Sequence, residues 1–248
     1  MRILVLRLLI IAALLALWEG LPRAGLINAN FLPPLSVVAQ NLWTMIVSGE
    51  LAKHALVSLQ RIAEGLGVSI LIGVPLGLVM GSFKSLESAI DGPLQAGRQV
   101  SAIALFPVFI LFFGIGELSK VAIIFWASVW PILISTIAGV KSIDAVLVRS
   151  ARSMGAEGLT LFRKVILPAA APSIFTGIRL GAAYAFMVLV AAEMIGANAG
   201  LGFLVLYSQE VFRIPDMYAA MVSLAAFGLL LNRLLVVLER SATAWRDA

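Results

Sequence analysis

The segment RSARSMGAEGLTLFRKVILPAAAP, residues 149–172, interrupts a chain that is otherwise rich in Leu, Ile, Val, Ala and Phe. Asp144 lies just upstream and is a residue type that caps helix N-termini, so it predicts a helix running to Met154. Gly155 ends this helix, because glycine readily adopts the left-handed conformation that closes helices. Apolar residues share one face of the helix and basic residues point elsewhere: Leu147, Ala151 and Met154, against Arg149 and Arg152.

A second short amphipathic run follows Gly158 and places Leu159, Phe162 and Ile166 on one face. Pro168 is expected to end this run, and Pro172 to start the next helix. Residues 141–168 are therefore predicted to form two short helices joined by an elbow, too polar to cross a membrane. The residues alone leave two interpretations open: a solvated loop with surface helices, or a docking surface for another protein.

The rest of the chain has the composition of a membrane protein. It is 61% hydrophobic and only 12% charged, with a mean hydropathy of +1.05, whereas soluble domains are about half apolar and about a quarter charged. A membrane-spanning helix needs about 20 apolar residues. We therefore predict an all-α polytopic membrane protein that forms a single domain over residues 1–248, with about six spans near residues 3–20, 58–82, 99–115, 119–140, 170–195 and 217–238.

The first apolar run has a basic start and a short core, which also describes a secretory signal peptide. Trp18, Glu19, Leu21 and Pro22 follow the core directly, and the small-residue cleavage pattern is missing. We expect the run to be retained as the first spanning helix.

The distribution of positive charge predicts the orientation. Lys and Arg favour the cytoplasmic side of a membrane protein, so the net charge of +5 reflects topology and not nucleic-acid binding. With six spans, both termini fall on one side, and 13 of the 18 Lys and Arg residues fall there too. Both termini are therefore predicted to be cytoplasmic. The predicted cytoplasmic set is Arg2, Arg7, Lys84, Arg98, Lys141, Arg149, Arg152, Arg163, Lys164, Arg179, Arg233, Arg240 and Arg246, and the external set is Arg23, Lys53, Arg61, Lys120 and Arg213.

The sequence lacks the residues that several kinds of catalytic and metal site need. The chain has no cysteine and one histidine, His54, which excludes disulfides and thiolate metal sites. No glycine-rich phosphate loop ends in Gly-Lys-Ser or Gly-Lys-Thr. No serine is paired with an identifiable base. We predict neither a catalytic nor a metal site.

Two local patterns concern helix packing. After Pro33 and Pro34, apolar residues at helical spacing over residues 37–46 predict a helix lying in the membrane interface. The segment 200–217 is either a second such helix or a loop. Glycines four apart predict close approach of helix backbones: Gly73, Gly77 and Gly81, and Gly177 and Gly181.

Polar and aromatic residues in the spans are candidates for a transport path. Arg61 and Glu64 are three apart on one helical face and either pair locally or line a path. Glu193 is a carboxylate at membrane depth, where a charge is costly, so we expect it to line a pore or contact a second chain. Phe109, with Phe106, Phe112 and Phe113, is either packed or part of an apolar gate.

The 149–172 segment resembles the signature loop of ABC-importer permeases. That loop has a Glu-Ala-Ala triplet, a glycine after three intervening residues, and farther on an Ile-x-Leu-Pro ending. The matching residues here are Ala151, Gly155, Val165, Leu167 and Pro168, whereas Arg149 and Ser150 depart from the triplet. The resemblance implies a coupling helix that inserts into a cleft of an ATP-hydrolysing subunit, and it assigns to that contact Arg149, Ala151, Arg152, Met154, Gly155, Leu159, Phe162, Val165, Leu167 and Pro168.

The resemblance extends over nearly the whole chain and points to the branch that serves sulfonates, taurine, nitrate and bicarbonate. The pieces that carry it are FLPP (31–34), SLQR (58–61), GVPLGLVMG (73–81), FFGIGELSKV (112–121), AGVKSID (138–144) and AAEMIGANAGLG (191–202).

Membership of that branch implies the type I ABC-importer permease fold in a bacterial-type cytoplasmic membrane. It implies a second copy of the chain, two ATP-binding subunits that hold ATP and magnesium, and an extracytoplasmic binding protein that delivers a small anion. The alternative is a secondary transporter or channel not coupled to ATP, which would need coupling-ion or filter residues. No such residues are evident in the sequence.

Overall fold

The chain is a succession of helices. The computed structural model describes the backbone of residues 2–242, and the side chains of that range except at 2–4, 84–87 and 242. Within these residues there is no strand, which confirms the predicted all-α class. Arg2, Lys84 and Arg246 of the predicted cytoplasmic set lie outside the described side chains. The helices are α1 Arg2–Arg23, α2 Leu35–Val47, α3 Glu50–Ser82, α4 Lys84–Gln99, α5 Ala102–Phe113, α6 Glu117–Lys141, α7 Ala145–Ser153, α8 Gly158–Leu161, α9 Leu167–Gly196, α10 Leu201–Glu210 and α11 Ile214–Ala242, with a π-helical turn, Phe162–Ile166, between α8 and α9.

Five helical segments in the described residues are long and apolar enough to cross a membrane, and the pair α4 and α5 gives a sixth if it forms one broken span. The five segments are contributed by α1, by α3, by α6, by α8 with the π-helical turn and α9, and by α11. The predicted number of about six spans is therefore confirmed at five to six.

The third predicted span differs from the expected continuous helix over 99–115. Helix α5 covers only Ala102–Phe113, about 18 Å at 1.5 Å per residue, and it is bent by 94° from α4. The bend separates two kinds of sequence, because α4 carries Asp91, Gln95 and Arg98 whereas α5 is wholly apolar. The sequence prediction treated residues 99–115 as one apolar run and so did not detect the break at residues 100–101.

Close helix packing forms the core of the unit made of Leu59–Ala192 and the chain from Gly228 on. A Cβ added to Gly77 of α3 would lie 2.6 Å from Thr136 Cβ of α6, and one added to Gly177 of α9 would lie 2.7 Å from Ser135 Cβ. Helix α6 therefore packs against both α3 and α9, and Ile132 at its centre is completely buried. The predicted role of the spaced glycines in packing is confirmed.

The other unit comprises the chain up to Ser58 together with Glu193–Phe227. Its apolar core joins Val38 and Met45 of α2 to Leu204 of α10 and Ala219 of α11. The predicted helix after Pro34 is confirmed, and the segment 200–217 contains a helix, α10, instead of being wholly a loop. The boundaries of both units fall inside α3, α9 and α11, and the single domain over residues 1–248 stays a prediction.

Candidate functional site

The candidate coupling segment begins with a capped helix. The Asp144 carboxylate accepts a hydrogen bond from the Val146 N–H at 2.7 Å, which confirms the predicted cap. Helix α7 then closes at Gly155, whose φ is +82°, and the Ala156 N–H donates back to the Ala151 carbonyl at 3.0 Å. The predicted elbow at Gly155 is confirmed, and its left-handed conformation favours glycine, which has no Cβ to clash.

The coupling segment presents apolar and basic side chains together. Ala151 is buried at 5% exposure, whereas Met154 and Leu159 are 81% and 68% exposed. Arg149 and Arg152 are also exposed. The face predicted from Leu147, Ala151 and Met154 is thus split: only Ala151 packs inward. An exposed Met and Leu beside two arginines are the kind of surface that contacts a partner.

The second half of the segment differs from the sequence prediction. Pro168 does not end the run and Pro172 does not begin a helix, because both lie within α9, which starts at Leu167. The turn before it, Phe162–Ile166, is π-helical. Proline cannot donate to the carbonyl four residues earlier and its ring collides with that group, here Lys164, so the wider turn accommodates Pro168 without a break.

The face predicted for this second run is also divided. Phe162 and Ile166 pack against a buried cluster that includes Val140 and Ile174, whereas Leu159 points outward. Val165 is half-buried and Leu167 is exposed. The π turn changes the angular spacing of these residues, which a count at 3.6 residues per turn cannot foresee.

Among the path candidates, Arg61 and Glu64 do not form the local pair. The Arg61 guanidinium makes a two-pronged ion pair with Glu117 at the start of α6, Nε to Oε2 at 2.6 Å and Nη2 to Oε1 at 2.7 Å. Glu64 accepts from Gln60 Nε2 at 2.8 Å. The local prediction is wrong because α3 packs against α6 and brings a carboxylate from 56 residues away within reach of Arg61.

Lys120 is a second buried cation at this place, and the sequence prediction did not foresee its burial. Its Nζ donates to the Gly116 carbonyl at 2.9 Å and lies 3.8 Å from Glu117 Oε1. Lys120 and Arg61 are each 3% exposed. The only sequence signal for this cluster is the motif GELSK, residues 116–120, whose Glu and Lys are three apart.

Glu193 lies in a buried hydrogen-bond network. It is completely buried, and its carboxylate accepts from Ser58 Oγ at 2.7 and 3.0 Å and from the Gly202 N–H at 2.8 Å. This carboxylate fixes the N-terminus of α10. The expected role of Glu193 in lining a pore or contacting a second chain stays a prediction.

The same network extends to the turn before α10. The Ser58 hydroxyl accepts from the Leu201 N–H at 2.9 Å, and His54 Nδ1 accepts from the Gly200 N–H at 3.0 Å. Three successive backbone amides, at residues 200–202, are thus bound by His54, Ser58 and Glu193. Ser58 and His54 were missed, because nothing local to them in the sequence indicates a partner more than 140 residues away.

Phe109 of α5 is half-buried and packed among aromatic rings. Its ring centroid lies 6.4 Å from that of Trp126 and 6.3 Å from that of Phe113. Phe106 is 2% exposed, whereas Phe112 is 76% exposed. The gate role of Phe109 stays a prediction.

Among the described residues, no group of three or more His, Cys, Asp or Glu side chains could hold a metal ion. The arrangement can bind a partner and hold a turn in place.

The chain matches a known protein family and several of its members. The family described as binding-protein-dependent transport system inner membrane component matches residues 73–243. The taurine transport system permease protein TauC of Escherichia coli is 36% identical, over 95% of this chain and 87% of its own length. A putative aliphatic sulfonates transport permease protein, SsuC of Bacillus subtilis, is 33% identical over 97% and 87%.

A solved structure shares the fold. An inward-facing structure of the MetNI methionine ABC transporter superposes with a TM-score of 0.65 at 18% identity, covering 76% of this chain and 94% of that chain.

The family match and the relatives show that the chain belongs to the family of binding-protein-dependent transport system inner membrane components. It is a multi-pass permease subunit of an ABC importer, and its partner classes are ATP-binding subunits and a binding protein.

Proposed function

We propose that the chain, acting as one transport domain, lines the path of an ATP-driven importer for a small anion. Two copies enclose the path, each copy docks one ATP-binding subunit through residues 141–168, and an extracytoplasmic binding protein delivers the solute. ATP and magnesium are bound by the ATP-binding subunits. Both termini of the chain are cytoplasmic.

The observation that carries this proposal is the coupling surface, defined as the exposed Met154, Leu159, Arg149 and Arg152 around Gly155. It stands on a fixed base, because Ala151 is buried and Phe162 packs into the core cluster. A partner that pushes on this surface would move α9 directly, since the π turn continues into that helix. This continuity is what force transmission from an ATPase requires.

The anion is supported by the relatives, whose names specify taurine and aliphatic sulfonates. In this proposal one copy of the chain forms one side of the path, and the second copy forms the other side. The residues proposed to border the path or its gate are Arg61, Glu64, Phe109 and Glu193, with Arg61 held by Glu117.

Docking is tested by replacing Met154 with Glu. The change places a carboxylate in the apolar part of the coupling surface, so ATP-binding subunits should no longer copurify, while membrane levels of the chain stay normal. Leu26→Glu is the matched control, because Leu26 is 74% exposed in the segment between α1 and α2. Undiminished copurification with Met154→Glu would contradict the proposed docking site.

Substrate class is tested on the reconstituted complex with its own binding protein. Taurine or an alkanesulfonate should stimulate ATP hydrolysis, and a neutral sugar or a metal cation should not. Stimulation by the sugar alone would refute the anion and leave the ATP-driven importer intact.

Orientation is tested with single cysteines, since the chain has none. Ser153→Cys should be protected from an impermeant thiol reagent in intact cells, and Asn30→Cys should be labelled. Labelling of Ser153→Cys from outside would reverse the topology.

A further inference from the structure

Phe212 lies in the turn between α10 and α11 and combines two unusual properties. Its φ is +57°, and it is the one residue other than glycine with positive φ among the residues that the structure describes. Its side chain is 86% exposed, the largest value for any large apolar side chain in the same part of the chain. The left-handed region is unfavourable for a bulky side chain, and an exposed ring gains nothing from burial.

The turn itself requires this backbone conformation but not this side chain. The Arg213 N–H donates to the Ser208 carbonyl at 2.8 Å, and the Phe212 N–H donates to the Gln209 carbonyl at 3.1 Å. These two bonds form the Schellman motif that closes a helix, and they put Phe212 at the position where glycine is usual. Glycine occupies the left-handed position after α7, at Gly155. Glycine or asparagine would meet the needs of the turn with less strain.

The neighbouring residues hold Phe212 in a fixed position. Helix α11 begins one residue after Arg213, and Pro215 restricts the backbone at its start. The Arg213 guanidinium forms an ion pair with Asp216, which is buried. At the other end of α10, the Glu193 carboxylate holds the first turn of the helix. A side chain on such a rigid turn loses little backbone entropy when a partner binds it.

The surface around Phe212 is polar. Gln209, Glu210 and Arg213 are exposed, and Glu210 forms no ion pair within the part of the chain that the structure describes. The hydrocarbon of a bilayer would leave these polar groups without hydrogen-bond partners, so the turn belongs outside it. Val211 is 43% exposed and extends the apolar centre. A small apolar centre within a polar ring is the arrangement of a protein-contact hot spot.

The position of the turn in the chain limits the partner. Helix α9 has 30 residues and separates the coupling segment from α10, so a cytoplasmic coupling segment places the turn on the external side, opposite the ATP-binding subunits. Two copies of the chain would form a permanent contact, and permanent contacts are large and apolar. A binding protein must dock and leave in each transport cycle, which suits a small apolar centre with a polar rim.

We infer that Phe212 is an anchor for the extracytoplasmic binding protein. The ring inserts into an apolar recess on that protein, and a basic residue beside the recess pairs with Glu210. The strain at Phe212 is retained because the residues that fit the turn better have no ring to insert. This inference rests on the proposed function and adds to it a docking residue and the chemistry of the surface that receives it.

The partner is tested by photo-crosslinking in the complete transporter, reconstituted in lipid nanodiscs with its ATP-binding subunits and its binding protein. A photoreactive benzoylphenylalanine in place of Phe212 should join the chain to the binding protein on illumination. A crosslink to lipid or between two copies of the chain, with none to the binding protein, would overturn the inference. The matched control is the same replacement at Phe83, which is 63% exposed, has an ordinary φ of −119° and lies on the predicted cytoplasmic side. It should give no crosslink to the binding protein.

Phe212→Asn separates docking from folding. Asparagine tolerates positive φ, so the melting temperature should hold or rise. The concentration of binding protein that half-saturates the stimulation of ATP hydrolysis should rise about tenfold or more, as expected for the loss of a hot-spot ring. Phe212→Trp should retain most of the affinity, and Phe83→Asn should behave like the wild type. A lower melting temperature in Phe212→Asn would show that the ring supports the fold, and would overturn the inference.

Glu210→Gln tests the polar rim. It should weaken docking by about threefold and reduce its dependence on salt, because a rim charge acts mainly on the rate of association. Equal half-saturating concentrations in Phe212→Asn and the wild type would defeat the inference alone and leave the proposed function intact. A wild-type complex whose ATP hydrolysis does not respond to its binding protein defeats the proposed function, and the inference with it.

Discussion

Gly155 and Gly200 both have positive φ, +82° and +125°, but their surroundings are opposite. A Cβ added to Gly155 would meet no atom within 4 Å, whereas one added to Gly200 would overlap the carboxyl group of Glu193. Gly155 is therefore favoured for its backbone conformation alone. Gly200 is required for both conformation and space, because the turn closes directly over a buried carboxylate.

The difference separates two kinds of glycine motif. The Gly155 elbow is exposed and shapes a surface, so changing it should alter partner contact and leave the fold intact. The Gly200 turn is part of the interior, where His54, Ser58 and Glu193 bind three successive amides. Changing it should damage the fold first.

The largest effect is expected from Gly200→Ala. The added methyl group must displace the Glu193 carboxyl group and also occupy an unfavourable backbone region, so the free energy of unfolding should fall by more than about 3 kcal/mol. Membrane levels and the melting temperature in detergent measure this. A variant with wild-type stability would show that the turn can move away from Glu193.

Glu193→Ala should have the next largest effect. It leaves the Ser58 hydroxyl and the Gly202 N–H without their acceptor, at a cost of about 2–4 kcal/mol. Ser58→Ala should cost less, because Glu193 keeps its bond from Gly202, and the double variant should show a coupling energy of about 1–2 kcal/mol. Strict additivity in unfolding measurements would contradict the shared network.

Gly155→Val should affect coupling more than stability. A β-branched residue at positive φ is strained by about 1–2 kcal/mol, and the strain falls on the exposed elbow. We expect normal membrane levels with weakened copurification of ATP-binding subunits and reduced transport. Transport at the wild-type rate would show that the elbow does not transmit force.

Gly155→Asn should have the smallest effect. Asparagine tolerates the left-handed conformation better than other residues with side chains, and the space beside the α-carbon is open. Transport and copurification should stay near wild type. If Asn is as harmful as Val, the elbow contacts its partner through the glycine itself. Gly155 would then resemble Gly200 in needing both its conformation and its small size.

Local patterns explain which predictions succeeded. The Asp144 cap, the Gly155 elbow and the glycine spacing in α3 and α9 each depend on residues a few positions apart. Three predictions were wrong. The third span is interrupted by a break, Arg61 pairs with a residue of a neighbouring helix and not with Glu64, and the π turn divides the single apolar face predicted over residues 159–166. None of these features follows from local periodicity.

The sequence by itself determined the membrane class, the number of spans within one, the elbow and the family, because composition and short-range spacing carry these. Only the tertiary structure decided that Arg61 pairs with Glu117, that Glu193 binds the turn before α10, and that Phe212 lies exposed at positive φ. The physical reason is distance along the chain. Ser58 and Glu193 are 135 residues apart and come into contact only after the helices have packed. The periodicity of a single sequence does not indicate such a contact.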